Sequence, residues 1–162
     1  MPTKSLLHGQ TAAMLNAAIA AELYAANLYK HLANQMQRMG YFGAQKFLLT
    51  ESAHELEHYQ RLVDYMDERG DMASMPAVPA MTETCSGLRD MLEMVFETEL
   101  QLERDYVGWF KACQCEITRQ FLLQFLELQR KSVGEISDWI ARLERCGNDN
   151  AALLILDKEL GQ

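Results

Sequence analysis

Acidic side chains interrupt the apolar faces of three predicted helices, where a buried charge is unexpected. The apolar spacing of three and four residues runs through Glu22 in the first helix and through Glu55 and His58 in the second. In the third helix it runs through Glu99. An ionised carboxylate inside a helical bundle is costly unless an opposite charge compensates it. The nearest basic residues flank these faces and do not lie on them: Lys30, Arg61, Arg104 and Arg130. The pattern therefore predicts a divalent or trivalent metal ion as the compensating charge.

The spacing Glu55-x-x-His58 places an oxygen and a nitrogen ligand on one face of a helix, because residues i and i+3 are neighbours there. A carboxylate-rich site with one imidazole suits iron or manganese better than a metal that prefers thiolates. A single Glu-x-x-His on a helix usually has no function, so the interpretation depends on the whole set of residues.

The intervals between these residues indicate two halves of one site. Glu22 is followed 33 residues later by Glu55, and Glu99 is followed 30 residues later by Gln129. Di-iron four-helix bundles carry one Glu on each of two helices and a Glu-x-x-His motif on each of the other two. The first half of this chain matches that pattern, whereas Gln129 and Ser132 replace Glu and His in the second. The sequence predicts a two-metal site with an incomplete second half.

The composition narrows the class of protein. The chain has 162 residues, 49% hydrophobic and 23% charged, which is typical of one folded domain. Its net charge of -8, without a basic patch, argues against nucleic-acid binding.

The start lacks a targeting pattern, and the least charged stretch, 12–29, is too polar for a membrane span, so we expect a cytoplasmic protein. The four cysteines include one Cys-x-Cys pair and no Cys-x-x-Cys pair, which favours reduced thiols.

The elements that must position these residues are helices, because apolar residues recur at intervals of three and four and not at two. We predict an all-α fold in a single domain over 1–162. Four long helices form a bundle over about 9–146, and a short terminal helix covers about 150–160. Ser86 and Asn150 are the predicted caps of the third and fifth helices.

The link between the second and third helices, residues 71–85, sets the topology. The second helix, at about 27 residues, is about 40 Å long. The link reaches roughly 50 Å when extended. The link is therefore long enough to return the chain to the end of the bundle where the second helix begins. The second and third helices would then be parallel, which predicts a four-helix bundle with one long crossover. The alternative is a flexible loop between two antiparallel helix pairs.

Three segments resemble the non-haem, bacterial-type ferritins of the ferritin-like superfamily, and the resemblance covers nearly the whole chain. The segment AELYAANLY, which contains Glu22 and Tyr29, resembles the first metal-binding helix of that family. The segment GAQKFLLTESAHELEHYQRLVDYM resembles its second helix, and LLILDKEL resembles its short fifth helix. The combination is far more specific than any one of the motifs.

The resemblance implies a di-iron site and assigns its ligands. Glu22, Glu55 and His58 would bind one iron, and Glu55 and Glu99 would bridge to or hold a second. Glu103, one turn after Glu99, is the alternative ligand on the third helix.

Two further residues receive roles from the resemblance. Gln129 would lie near the oxygen-binding side of the site, and Tyr29 would assist oxidation.

Bacterioferritins have a haem-ligand methionine directly after the second-helix glutamate, where this chain has Leu56, so we expect no haem. The fourth-helix glutamates that form a third iron site in some bacterial ferritins are replaced by Leu128, Lys131 and Ser132.

The function that the resemblance implies is storage and detoxification of iron. A ferroxidase would oxidise Fe(II) with dioxygen or peroxide inside the bundle and store ferric mineral in a cage of self-associated chains. The resemblance implies twenty-four chains in the cage. Two alternatives stay open: a structural cage subunit whose degraded site oxidises iron slowly, and a di-metal oxidase or peroxide scavenger that stores nothing. The metal bound in the cell, the route of iron release and the presence of other subunits are also open.

Overall fold

The computed structural model describes residues 4–162, and within them the chain forms helices without any strand. The helices are α1 (Gly9–Arg38), α2 (Phe42–Glu68), α3 (Leu88–Ala112), α4 (Glu116–Cys146) and α5 (Asn150–Leu160). The predicted all-α class, the four-helix bundle and the short terminal helix are confirmed. In the same part of the chain, no helix combines the length and the hydrophobicity needed to cross a bilayer.

The crossover between α2 and α3 runs along the length of α1. Near the start of α1, the Asn16 side chain accepts a hydrogen bond from the Ser74 backbone N–H at 2.8 Å. Near its end, the Gln35 side chain accepts one from the Cys85 backbone N–H at 3.0 Å. The chain therefore enters α3 at the end where α2 began. As predicted, α2 and α3 are parallel, and α1 and α3 run in opposite directions.

Two predicted helix caps are wrong by one residue. Gly87, not Ser86, occupies the cap position of α3, and the Ser86 hydroxyl and N–H both bond to the Asp90 carboxylate. Asp149, not Asn150, caps α5, because its carboxylate accepts the Ala152 N–H at 2.9 Å. Asp and Asn are both good caps, so composition alone does not choose between neighbours of these types.

Helix α5 is attached to the start of α2 by a buried carboxylate. Asp157 accepts the backbone N–H groups of Gly43 at 3.1 Å and Ala44 at 2.7 Å, which lack partners within their own helix. A negative charge at a helix N-terminus is also favoured by the helix dipole. The contact is close enough that Gly43 has no room for a side chain.

Replacing Gly43 with alanine is expected to loosen α5. The new Cβ would overlap the backbone carbonyl of Asp157, and such overpacking costs about 1–3 kcal/mol of unfolding free energy. Gly134→Ala, in the interior of α4, is the matched control: its Cβ meets nothing within 4 Å, and the better helix propensity is expected to stabilise by up to about 1 kcal/mol. Denaturant unfolding of both variants checks this, and a Gly43→Ala protein as stable as its parent would contradict it.

Candidate metal centre

Five of the predicted residues lie on the inward faces of the four long helices near their middles. They are Glu22 on α1, Glu55 and His58 on α2, Glu99 on α3 and Gln129 on α4. Each is at most 6% exposed. Each also follows the three-and-four spacing of its helix, so the helical period that buries the apolar core turns these polar groups inward as well.

The first half of the centre is a compact group of three ligands. One carboxylate oxygen from each of Glu22 and Glu55 and one ring nitrogen of His58 lie within 4.8 Å of one another. The His58 Nδ1 atom is 3.3 Å from Glu55 Oε2 and 3.6 Å from Glu22 Oε2. Glu22 Oε2 is buried and has no hydrogen-bond partner among residues 4–162. A buried carboxylate oxygen without a partner is costly, and a cation bound by these oxygen and nitrogen donors would satisfy it.

The second half is held by hydrogen bonds. Both oxygens of Glu99 are engaged: the Tyr29 hydroxyl donates to Oε1, and the Gln129 amide donates to Oε2 at 2.9 Å. The same amide group reaches the Glu99 backbone carbonyl at 3.2 Å. The amide oxygen of Gln129 is buried without a partner in the described chain. The predicted pair of Glu99 and Gln129 is thus in contact, and Tyr29 fixes the carboxylate from the other side.

A second tyrosine, Tyr106, was not among the predicted site residues. It is fully buried, and its hydroxyl donates to Glu22 Oε1. Tyr106 lies seven residues after Glu99, just as Tyr29 lies seven residues after Glu22. Because α1 and α3 are antiparallel, each tyrosine reaches the glutamate of the opposite helix. This repeated interval of seven was the signal in the sequence that could have identified Tyr106.

The other acidic candidate on α3 lies apart from the centre. Neither acidic candidate on α3 belongs to the group of three ligands. Glu99 is buried and bonds to Tyr29 and Gln129, whereas Glu103 is half-buried. Ser132, one turn after Gln129, is also half-buried. Glu51, one turn before Glu55, is half-buried and lies 3.3 Å from the exposed His54 ring.

When no metal is present, burial and neighbouring carboxyls favour the protonated forms of Glu55 and Glu99. Burial raises the pKa of Glu55 well above its usual range, and the neighbouring Glu22 and Glu99 carboxyls raise it further. Burial raises the pKa of Glu99 to about 7, although two hydrogen bonds act against it. Burial also acts to raise the pKa of Glu22, but the adjacent Glu55 and His58 side chains outweigh it and lower that pKa. A metal ion must therefore displace protons from Glu55 and Glu99 near neutral pH.

The stability of the metal-free protein is expected to fall as the pH rises from 5 to 8. Folded Glu99 keeps its proton up to about pH 7, whereas the unfolded carboxyl loses it near 4.5, so this group stabilises the fold at low pH and stops doing so above about 7. The shift corresponds to roughly 3 kcal/mol. Denaturant unfolding across this range, compared with Glu99→Gln, checks the sign. An equal pH slope in both proteins would contradict the assignment.

Comparisons with known proteins agree with this architecture. The ferritin-like domain family matches residues 12–146, a range that includes the whole candidate centre. A soma ferritin of Lymnaea stagnalis is 31% identical over 160 residues, covering 94% of this chain and 91% of the relative. A probable bacterial non-heme ferritin-like protein of Haemophilus influenzae is 26% identical over 161 residues, covering 91% and 92%. An open-pore ferritin of the archaeon Archaeoglobus fulgidus has a TM-score of 0.92 at 26% identity, covering 96% of this chain and 98% of that one. By sequence and by fold, this chain belongs to the ferritin family.

Proposed function

We propose that this ferritin oxidises Fe(II) with dioxygen inside its helical bundle and stores the ferric product. The observation that carries the proposal is the preformed group of Glu22, Glu55 and His58 with a buried, unpartnered carboxylate oxygen. Glu99, the next carboxylate across the bundle, supplies a ligand for a second iron. Carboxylates stabilise Fe(III) more than Fe(II), so the same ligands that bind the substrate also favour its oxidation.

We assign roles to the side chains on the basis of their contacts. Glu22, Glu55 and His58 bind the first Fe(II), and Glu55 and Glu99 hold the second. Dioxygen accepts one electron from each iron. Two tyrosine hydroxyls hold the carboxylates of α1 and α3 in place: Tyr106 donates to Glu22, and Tyr29 donates to Glu99. The protein thus contributes orientation and negative charge in a buried site.

Storage requires an assembly, and we propose a cage of twenty-four chains in the cytoplasm. Membership of the ferritin family supports self-association. The net charge of -8 per chain would favour attraction of iron cations to the assembly. Measuring the mass of the assembly and the iron retained per chain after aerobic loading tests this part. A dimer that retains no iron would favour the non-storing oxidase or peroxide scavenger.

Stopped-flow absorbance after mixing with Fe(II) in air tests the ferroxidase activity. We expect a fast phase that Glu22→Ala slows by about 100-fold, equivalent to about 2.7 kcal/mol. Glu57→Ala is the matched control, since Glu57 is exposed on α2 and pairs with Arg61 outside the centre. A fast phase that survives in Glu22→Ala would contradict the site.

A structural cage subunit is the second candidate function. It is favoured by the second half of the centre, where Gln129 and Ser132 replace charged or imidazole ligands. Absence of a fast phase in the unmodified chain, together with an intact assembly, would support this candidate over the ferroxidase.

A further inference from the structure

An aromatic pathway leads from the candidate centre toward the end of the bundle. The Tyr106 hydroxyl bonds to Glu22, a proposed iron ligand. The Tyr106 ring meets the Trp109 ring edge-on, with ring centres 5.1 Å apart. Tyr106 is fully buried, whereas Trp109 is half-buried. The two rings thus connect the centre to the surface without an intervening residue.

The pathway ends at a cleft that contains two thiols. Trp109, Cys113 and Cys115 line one cleft of about 380 Å³ between the start of α1 and the α3–α4 turn. The Cys113 N–H donates to the Trp109 carbonyl at 2.9 Å, and the Cys113 thiol donates to the Cys115 carbonyl at 3.6 Å. The first bond places Cys113 one turn after Trp109 at the end of α3, and both cysteines line the same cleft as Trp109.

The position of Cys115 favours a reactive thiol. Cys115 occupies the cap position of α4, where the helix dipole stabilises a thiolate. Contacts with the Thr118 side chain and backbone lower the pKa of the Cys115 thiol. Cα atoms two residues apart are separated by at most about 7 Å, the upper limit for a disulfide, so a Cys113–Cys115 disulfide requires the backbone to bend at the exposed Gln114.

The electron count gives this dithiol a role. Reduction of dioxygen to two waters needs four electrons, and two Fe(II) ions supply only two. We propose, resting on the ferroxidase function above, that Cys113 and Cys115 supply the other two electrons through Trp109 and Tyr106. Two Fe(II), one O2, two thiols and two protons then give two Fe(III), two waters and one disulfide.

The bonds and protons in this step balance. Each thiol loses its S–H proton and one electron, and an S–S bond forms between the two sulfurs. Trp109 and Tyr106 each lose and regain one electron at a time. The phenolic proton of Tyr106 passes to Glu22 Oε1, its hydrogen-bond acceptor, and returns. Without the dithiol, the two electrons from iron would reduce dioxygen only to hydrogen peroxide.

The test counts thiols after one round of iron oxidation. The assembled, reduced protein is loaded without oxygen with two Fe(II) per chain and then exposed to air. Catalase is present so that free peroxide cannot oxidise thiols. A thiol-reactive dye then counts free cysteines after denaturation. We expect the count to fall from 4 to about two per chain, with the lost pair linked within one chain by mass spectrometry.

Two variants separate the pathway from direct oxidation. Trp109→Phe keeps an aromatic ring that is much harder to oxidise and leaves the proposed ligands untouched, so we expect all four thiols to survive. Without catalase, this variant should release about one peroxide per two Fe(II). Cys85→Ser is the matched control, because Cys85 lies at the opposite end of α3 beside Gln35, and it should still lose two thiols.

Three results would overturn the inference. Fast iron oxidation in the unmodified protein with all thiols intact would show that the dithiol takes no part, while the ferroxidase function stands. Equal thiol loss in Trp109→Phe would show that the electrons bypass the aromatic pathway. Iron oxidation no faster than in Glu22→Ala would remove the ferroxidase function itself, and the inference with it.

Discussion

Replacing Glu55 with alanine is expected to abolish the binding of both metal ions and to slow Fe(II) oxidation by at least about 100-fold. In the proposed centre, Glu55 is the carboxylate that binds both metal ions. Its Oε2 atom is 3.3 Å from the His58 ring, and both Glu22 and Glu99 contribute to its raised pKa. Loss of this group therefore removes a ligand from each metal at once.

Comparison with Glu99→Ala makes the prediction specific. Glu99 belongs only to the second half, so its loss should leave one metal ion bound and a slower oxidation. Anaerobic titration with Co(II), followed by its visible absorption, counts the sites: we expect about two ions in the unmodified chain, one in Glu99→Ala and none in Glu55→Ala.

Glu103→Ala is the control, since Glu103 is half-buried and lies one turn away. It should bind two ions. A Glu103→Ala protein that binds one ion, beside a Glu99→Ala protein that binds two, would exchange the roles of these residues.

The fold class and topology were predictable because each depends on a quantity that the sequence contains. The apolar period specifies helices, and the length of the link at 71–85 specifies a crossover that spans the bundle. The path of that link beside α1 was not predictable. It depends on hydrogen bonds from Ser74 and Cys85 to side chains of α1 that are distant in sequence.

The centre was predictable in its residue types and less so in its register. Glu99 and Glu103 are separated by four residues and fall on the same side of α3, so spacing alone cannot choose between them. In the folded bundle, Glu99 is buried in the interior and Glu103 is only half-buried. Tyr106 follows the apolar face of α3 like any core aromatic residue, and its role as a donor to Glu22 depends on the antiparallel arrangement of α1 and α3.

Replacing Gln129 with glutamate is expected to destabilise the metal-free protein and to strengthen binding of the second metal. The Gln129 amide donates to Glu99 Oε2 at 2.9 Å, so a carboxyl at this position places two buried acidic groups against each other. One of them must retain a proton, and the loss of a buried donor costs about 1–3 kcal/mol. A bound cation reverses this effect, because the second carboxylate becomes an additional anionic ligand.

Denaturant unfolding with and without Co(II) measures both consequences of Gln129→Glu. Without metal, we expect the variant to be less stable than the parent, and with saturating Co(II) the difference should vanish or change sign. Gln124→Glu is the matched control on α4, because Gln124 is half-buried and accepts a hydrogen bond from Arg61 at 3.3 Å, so a negative charge there is compensated. Equal metal-free stability of Gln129→Glu and the parent would mean that the residue does not face Glu99. Reduced stability that Co(II) fails to restore would mean that the second half of the centre is a structural hydrogen-bond network and binds no metal.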